Sequence, residues 1–109
     1  EYVMASIDYM KVLDIAVQTL DISSQCEIQA LDLTVFQAVI LKPDGTKVEV
    51  TINVNKFELE IILHKDVFNG KEFKKWLNKF EYELEQNFFK NISLTHSETK
   101  TDYSIKLLY

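Results

Sequence analysis

From Thr46 to Asn55 the chain alternates without a break, with Val48, Val50, Ile52 and Val54 on one parity and Lys47, Glu49, Thr51 and Asn53 on the other. Period-two alternation of β-branched residues marks a strand with one buried face. Phe57, Leu59, Ile61 and Leu63 alternate too, on odd positions, and a two-residue turn at Asn55-Lys56 reconciles the parities. That turn sets Val54 opposite Phe57, Val50 opposite Ile61 and Val48 opposite Leu63. Upstream, Lys42-Pro43-Asp44-Gly45-Thr46 supplies Pro for a type I turn and Gly for the left-handed residue after it. Pairing Lys42 with Thr46 places Ile40 against Val48, Ala38 against Val50 and Phe36 against Ile52, all on one apolar face.

The strand that precedes this turn is read over residues 31–41, and it differs from the other two. Leu31, Leu33, Val35, Val39 and Leu41 make its second face apolar as well. Strands apolar on both faces are normally covered on both. In a three-stranded sheet this one would be an adhesive edge. The N-terminal segment, a C-terminal hairpin or a partner chain must cover it.

Two helices flank the strands. Tyr9, Val12, Leu13, Ala16, Val17 and Leu20 fall at helical spacing between about Ile7 and Asp21, with Ser6 as N-cap, and Ser23-Ser24-Gln25 ends the pattern as a loop. The second helix begins at Asn69, where Glu72 completes a capping box and Phe68 and Phe73 are placed for a hydrophobic staple. Phe73, Trp76, Leu77, Phe80, Leu84 and Phe88 then form one aromatic-rich stripe that has to bury itself on the sheet. In the tail, Ile92, Leu94 and His96 pair with Leu107, Ile105 and Tyr103 around a polar hairpin loop, and this hairpin can close the edge of the 31–41 strand. The expected fold is a single α+β domain of order α-βββ-α-ββ, an antiparallel sheet of about five strands with the long aromatic helix packed on one face. This element order is similar to that of small acidic secretion chaperones, which act as dimers and continue past the last strands with another helix.

Composition narrows the function more than it defines it. The 109 residues are 47% hydrophobic and 27% charged, ordinary values for one globular domain, and no apolar run reaches the roughly 18 residues of a membrane helix. Cys26 is the single cysteine, which fits a buried thiol in a reducing, cytoplasmic setting. The net charge is −5 and all twelve basic residues are lysine. Without the arginine fork, and with an acidic balance, nucleic-acid binding is disfavoured. The Lys, Ile, Asn, Phe and Tyr bias matches the codon usage of an AT-rich genome, that of a bacterium, phage or parasite.

No chemistry-bearing constellation stands out. His64 and His96 lack a close-spaced ligand partner, the two glycines form no phosphate loop, and Glu58 and Glu60 sit on a strand face expected to be solvated. The sequence therefore implies no catalytic residues, cofactor or metal, and a non-enzymatic protein-binding module: an adaptor, an inhibitor, an immunity-type or a secretion-chaperone-like protein. Two surfaces are candidates for a protein partner or a homodimer. One is the apolar strand face of Leu31, Leu33, Val35, Val39 and Leu41. The other is the second helix, where Lys71, Lys74, Lys75 and Lys79 crowd the first half and Glu81, Glu83 and Glu85 the second, with Tyr82 as an aromatic anchor. That order of charge opposes the helix macrodipole. The alternatives are a nucleic-acid binder using Lys56, Lys65 and the helix lysines, and a small-ligand or enzymatic domain with a pocket between helix and sheet.

Overall fold

A computed structural model of the chain describes residues 8–20, 22, 25–55, 58–88 and 92–108. The elements are α1 (Tyr9–Thr19), β1 (Gln25–Asp32), β2 (Val35–Leu41), β3 (Lys47–Val54), β4 (Glu58–His64), α2 (Gly70–Phe88), β5 (Ser93–Glu98) and β6 (Asp102–Leu108). The strands form one antiparallel sheet in the order β1-β2-β3-β4-β6-β5. The fold is α+β with a long aromatic helix on one face, and it holds six strands in the order α-ββββ-α-ββ, one more than the alternation implied. The extra strand also departs from the secretion-chaperone element order.

The β2–β3 hairpin has the register that its turn dictates. Phe36, Ala38 and Ile40 face Ile52, Val50 and Val48. The Lys42 N–H donates to the Thr46 carbonyl at 2.9 Å, the Gly45 N–H donates to the Lys42 carbonyl at 3.0 Å, and Gly45 takes φ +88°. A side chain at position 45 meets no neighbour but forces an L-residue into the left-handed region. Gly45→Ala is expected to lower the urea unfolding free energy by about 1–2 kcal/mol. Gly45→Asn should lose less, because asparagine visits this region more readily.

Two other registers are displaced by two residues from those read in the sequence. In β3–β4, Val54 faces Leu59, Ile52 faces Ile61 and Val50 faces Leu63. The Val50–Ile61 and Val48–Leu63 pairs do not form, and Phe57, expected opposite Val54, lies outside the described residues. Asn55 joins the ladder instead of the turn: its N–H donates to the Glu58 carbonyl at 3.0 Å and its Oδ1 accepts from the Glu58 N–H at 2.8 Å. Lys56, read as part of the turn, also lies outside the described residues. In the tail, Leu94 faces Leu107, His96 faces Ile105 and Glu98 faces Tyr103. Here the Thr99 N–H donates to the Asp102 carbonyl at 2.9 Å, so Ser97, Glu98 and Asp102 belong to strands and not to the loop. A two-residue slip preserves parity, so every apolar side chain keeps its face.

The 31–41 segment is not one strand. Residues 25–32 form β1, a turn at Leu33-Thr34 reverses the chain, and β2 begins at Val35. The edge of β2 is covered by β1, and the tail hairpin docks at the opposite end of the sheet, where β6 pairs with β4. Gln25, expected in a loop, opens β1; Ser23 and Ser24 lie outside the described residues, as does Ser6. The N-cap of α1 is Asp8, whose carboxylate accepts from the Lys11 N–H at 3.1 Å.

Both helices pack on the face that carries Ala38, Val50, Ile52, Leu59, Ile61, Leu63, Ile105 and Leu107, all fully buried or nearly so. The start of α2 has the expected reciprocal cap: the Glu72 N–H donates to Asn69 Oδ1 at 2.9 Å, and the Asn69 N–H donates to Glu72 Oε1 at 3.0 Å. Phe68 closes over Phe73 with ring centroids 5.9 Å apart. Phe73 stacks on Tyr103 at 4.0 Å and Trp76 stacks on Phe80 at 4.9 Å, filling the space between α2 and the sheet. The helices join through one polar bond in this core, from the Trp76 indole N–H to Thr19 Oγ1 at 3.0 Å. No helix among the described residues is long and apolar enough to cross a membrane.

Candidate functional site

The helix layer ends before the sheet does. Every residue of β1 is exposed, whereas β2 to β4 and β6 are buried on the helix side. Among the described residues the last cover at this end is Tyr9 of α1, stacked on Phe36 of β2 at 5.2 Å. Cys26, Ile28 and Ala30 share the parity of Ile40, Ala38 and Phe36, against which they pair, so they continue the apolar face past the roof. Ile28 is 46% exposed there.

The backbone of the same three residues faces outward. In β2, the even positions bond to β3, as the bonds from Lys42 to Thr46 and from Val54 to Thr34 (2.8 Å) establish. In an antiparallel ladder, directly opposed residues alternate between bonded and non-bonded pairs. The odd residues of β2 therefore bond to β1, through Gln25, Glu27 and Gln29. Cys26, Ile28 and Ala30 are left with their N–H and C=O groups at the free edge. Natural edges are usually blunted by lysine, proline or a bulge. This one has no lysine or proline, and its only bulge lies at the far end, between Ala30 and Asp32.

The other edge, β5, is of different character. Its Ser93, Thr95 and Ser97 alternate with Leu94, His96 and Glu98, and all but Leu94 are exposed. Only one of its six side chains is aliphatic, against Cys26, Ile28 and Ala30 on the helix side of β1.

The face opposite the helices is polar with apolar islands. Gln29 donates to Gln37 at 3.0 Å and Gln37 donates to Thr51 at 3.1 Å, a ladder across three strands. Glu60 accepts from the Ser104 hydroxyl at 2.7 Å and from the Asn53 amide at 3.1 Å. The Ser104 bond is the main reason its carboxyl sits below the usual glutamate range; partial burial pushes the other way, and the Asn53 bond and Lys106 add to the lowering. The unfolded chain thus takes up this proton more readily. The associated stability is complete above the ordinary glutamate pKa of the unfolded chain and disappears as pH falls through the lower folded value. Between about pH 7 and pH 3, Glu60→Gln is expected to lose less of its unfolding free energy than the parent does. Equal losses would remove Glu60 from the acid response.

The structure separates the predicted binding residues. Val35 and Val39 are half-buried and Leu41 is exposed on the open face, which α1 does not cover because it packs on the other side. Leu31 lies at the bulge and Leu33 at the hairpin tip, 92% exposed. Lys71, Lys74, Lys75 and Lys79 are exposed along the first half of α2, with Tyr82 59% exposed beyond them. Leu33 is at the Val54–Leu59 end of the sheet, whereas α2 starts over Tyr103, opposite Leu63, at the other end. The two groups do not form one surface. Among the described residues, none of these four lysines and none of Glu81, Glu83 and Glu85 has an ion-pair partner, and nothing in the fold explains their order along the helix.

Sequence reasoning passed over Ile28 and Ala30 and read Cys26 as a buried thiol, whereas it is exposed on β1; the only signal was their alternation with Gln25, Glu27 and Gln29, too weakly apolar to register as a strand. Partial burial, then the charges of Asp14 and Glu27, push the Cys26 thiol above its ordinary pKa, which disfavours the reactive thiolate. Among the described residues no three His, Cys, Asp or Glu side chains converge as metal ligands would. His64 accepts from the Asp66 N–H at 3.1 Å, and His96 meets the edge of Phe73 at 5.6 Å.

Fold and edge together define a small α+β protein with one unblunted strand exposed beside its core. Comparison with protein-family models, with curated proteins and with solved structures finds no match.

Proposed function

We propose that this chain is a non-enzymatic protein-binding module that takes an extended partner segment onto the free edge of β1. One observation carries the reading: Cys26, Ile28 and Ala30 present both unpaired backbone groups and uncovered apolar side chains along a single strand. Strand addition uses these two features together, main-chain bonds for affinity and alternate side chains for selection. Leu31 and Leu33 extend the apolar surface at the hairpin tip. The stacked rings of Phe73, Trp76, Phe80 and Tyr103 occupy the space a ligand would need between helix and sheet, which favours binding at the edge over a pocket.

A photo-crosslinking residue at position 28, compared with one at position 95 on β5, tests this in cells that express the chain. Discrete polypeptide adducts are expected from position 28 and not from 95. Identical adduct patterns at the two positions, or none at 28, would end the proposal.

A further inference from the structure

We infer that the segment received by β1 is the β1 of a second copy, paired antiparallel about a two-fold axis through Ile28; this deepens the strand-addition reading and rests on it. Three features of the strand select that partner and that register.

The first is hydrogen-bond phase. Because the even residues face outward, two copies can bond only if even residues oppose even residues. Centring the axis on Ile28 sets Ile28 against its own counterpart and Cys26 against Ala30, in both directions. All three outward-facing residues are then used, and the bulge between Ala30 and Asp32 falls just outside the paired stretch. A slip toward Asp32 runs into that bulge.

The second is charge. Glu27 is the only charged residue of β1 before Asp32. A slip toward Gln25 that centres the axis on Glu27 would oppose two glutamates, which is destabilising for directly opposed like charges. The Ile28-centred register sets Glu27 against Gln29 of the other copy. Glu27 has no hydrogen-bond or ion-pair partner among the described residues, and Gln29 has committed only one of its two amide protons, to Gln37. The free proton of Gln29 meets the free carboxylate of Glu27, twice, and the glutamine ladder on the open face continues from one copy into the next.

The third is side-chain cover. Even parity puts both helix layers on the same side of a joined twelve-stranded sheet, twice the six strands of one copy. The two Ile28 side chains then lie side by side, flanked by Cys26 and Ala30 of opposite copies, and each shields what the other exposes. A two-fold pairing also closes on itself, whereas β1 joined to the polar β5 edge would leave ends free and grow a filament.

The test exploits the outward amide at position 28. Proline there removes a donor aimed at the partner and none aimed at β2, the one placement an edge strand tolerates. The parent chain is expected to sediment as a dimer. Ile28→Pro is expected to halve the sedimenting mass while keeping its circular dichroism and cooperative unfolding, and Ile28→Lys provides the same readout should the proline variant fail to fold. In a Cys26→Ser background, Ile28→Cys should oxidise to a linked dimer, since opposed bonded residues lie about 5.5 Å apart, within disulfide reach. Thr95→Cys in that background should not. The parent Cys26 pair, four residues apart along the strands or about 13 Å, should stay reduced. A parent chain that is monomeric at all concentrations, or a dimer indifferent to folded variants at position 28, overturns the inference. If such a monomer still crosslinks from position 28 to a different polypeptide, strand addition stands and self-pairing falls; if it crosslinks to nothing, both fall.

Discussion

Truncation of Phe80 to alanine is expected to lower the unfolding free energy by about 3–5 kcal/mol. Phe80 sits midway along α2, is fully buried, and lies parallel to the Trp76 ring at 9°. Among the described residues it is the largest wholly buried side chain of a core shared by both helices and the sheet. Removing a ring here deletes its contacts on Trp76 and opens a cavity between layers that cannot collapse without moving α2. Domains of this size are stable by only about 5–15 kcal/mol, so the variant should stand near the edge of folding at ambient temperature. Phe80→Leu keeps most of the volume and should lose considerably less. Trp76 is the only tryptophan, so its emission during urea unfolding reports this part of the core directly. A loss below about 1 kcal/mol would place Phe80 among ordinary surface substitutions and contradict the packing described.

The accuracy of the sequence reading tracks burial. Val48, Val50, Ile52 and Val54 have to face the helix layer, so their parity is written into the chain, and so is that of Leu59, Ile61 and Leu63. Register is written only where a turn has one solution. Pro43 and Gly45 leave a single loop geometry, and that register is as read. Asn55 suits either a turn or the last ladder position, and the Ser97–Asp102 run is polar throughout, so both hairpins admit a slip that preserves parity and differ from the reading by two residues. Strand β1 escaped because none of the described residues covers it. Its apolar residues are few, and its turn, Asp32-Leu33-Thr34-Val35, contains no glycine, proline or asparagine; Asp32 caps it by accepting from the Leu33 N–H at 2.7 Å. Leu31 and Leu33 thus read as a continuation of the odd parity of Val35. The element least legible in the sequence is the one left exposed, and it is also the candidate site.

The bond between Trp76 and Thr19 should carry the largest polar contribution in the core. Thr19 is the only buried polar side chain among the described residues. Its hydroxyl donates to the Ile15 carbonyl at 2.8 Å, with Ala16 at 3.1 Å, and accepts the indole N–H. Thr19→Val preserves shape but removes the only acceptor of a donor that is nearly buried. Leaving such a group unsatisfied costs about 1–3 kcal/mol, and that loss is expected in urea unfolding. Trp76→Phe removes the donor as well as part of the ring, so its own loss mixes packing with the bond. The pair is therefore best read as a double-mutant cycle. In the Trp76→Phe background, Thr19→Val no longer strands a donor and should cost much less than in the parent, leaving a coupling energy of at least about 0.5 kcal/mol. Additive losses would mean that water replaces the threonine, and that the contact between α1 and α2 rests on apolar packing and on Lys11, which reaches the Asn87 carbonyl and the Phe88 ring.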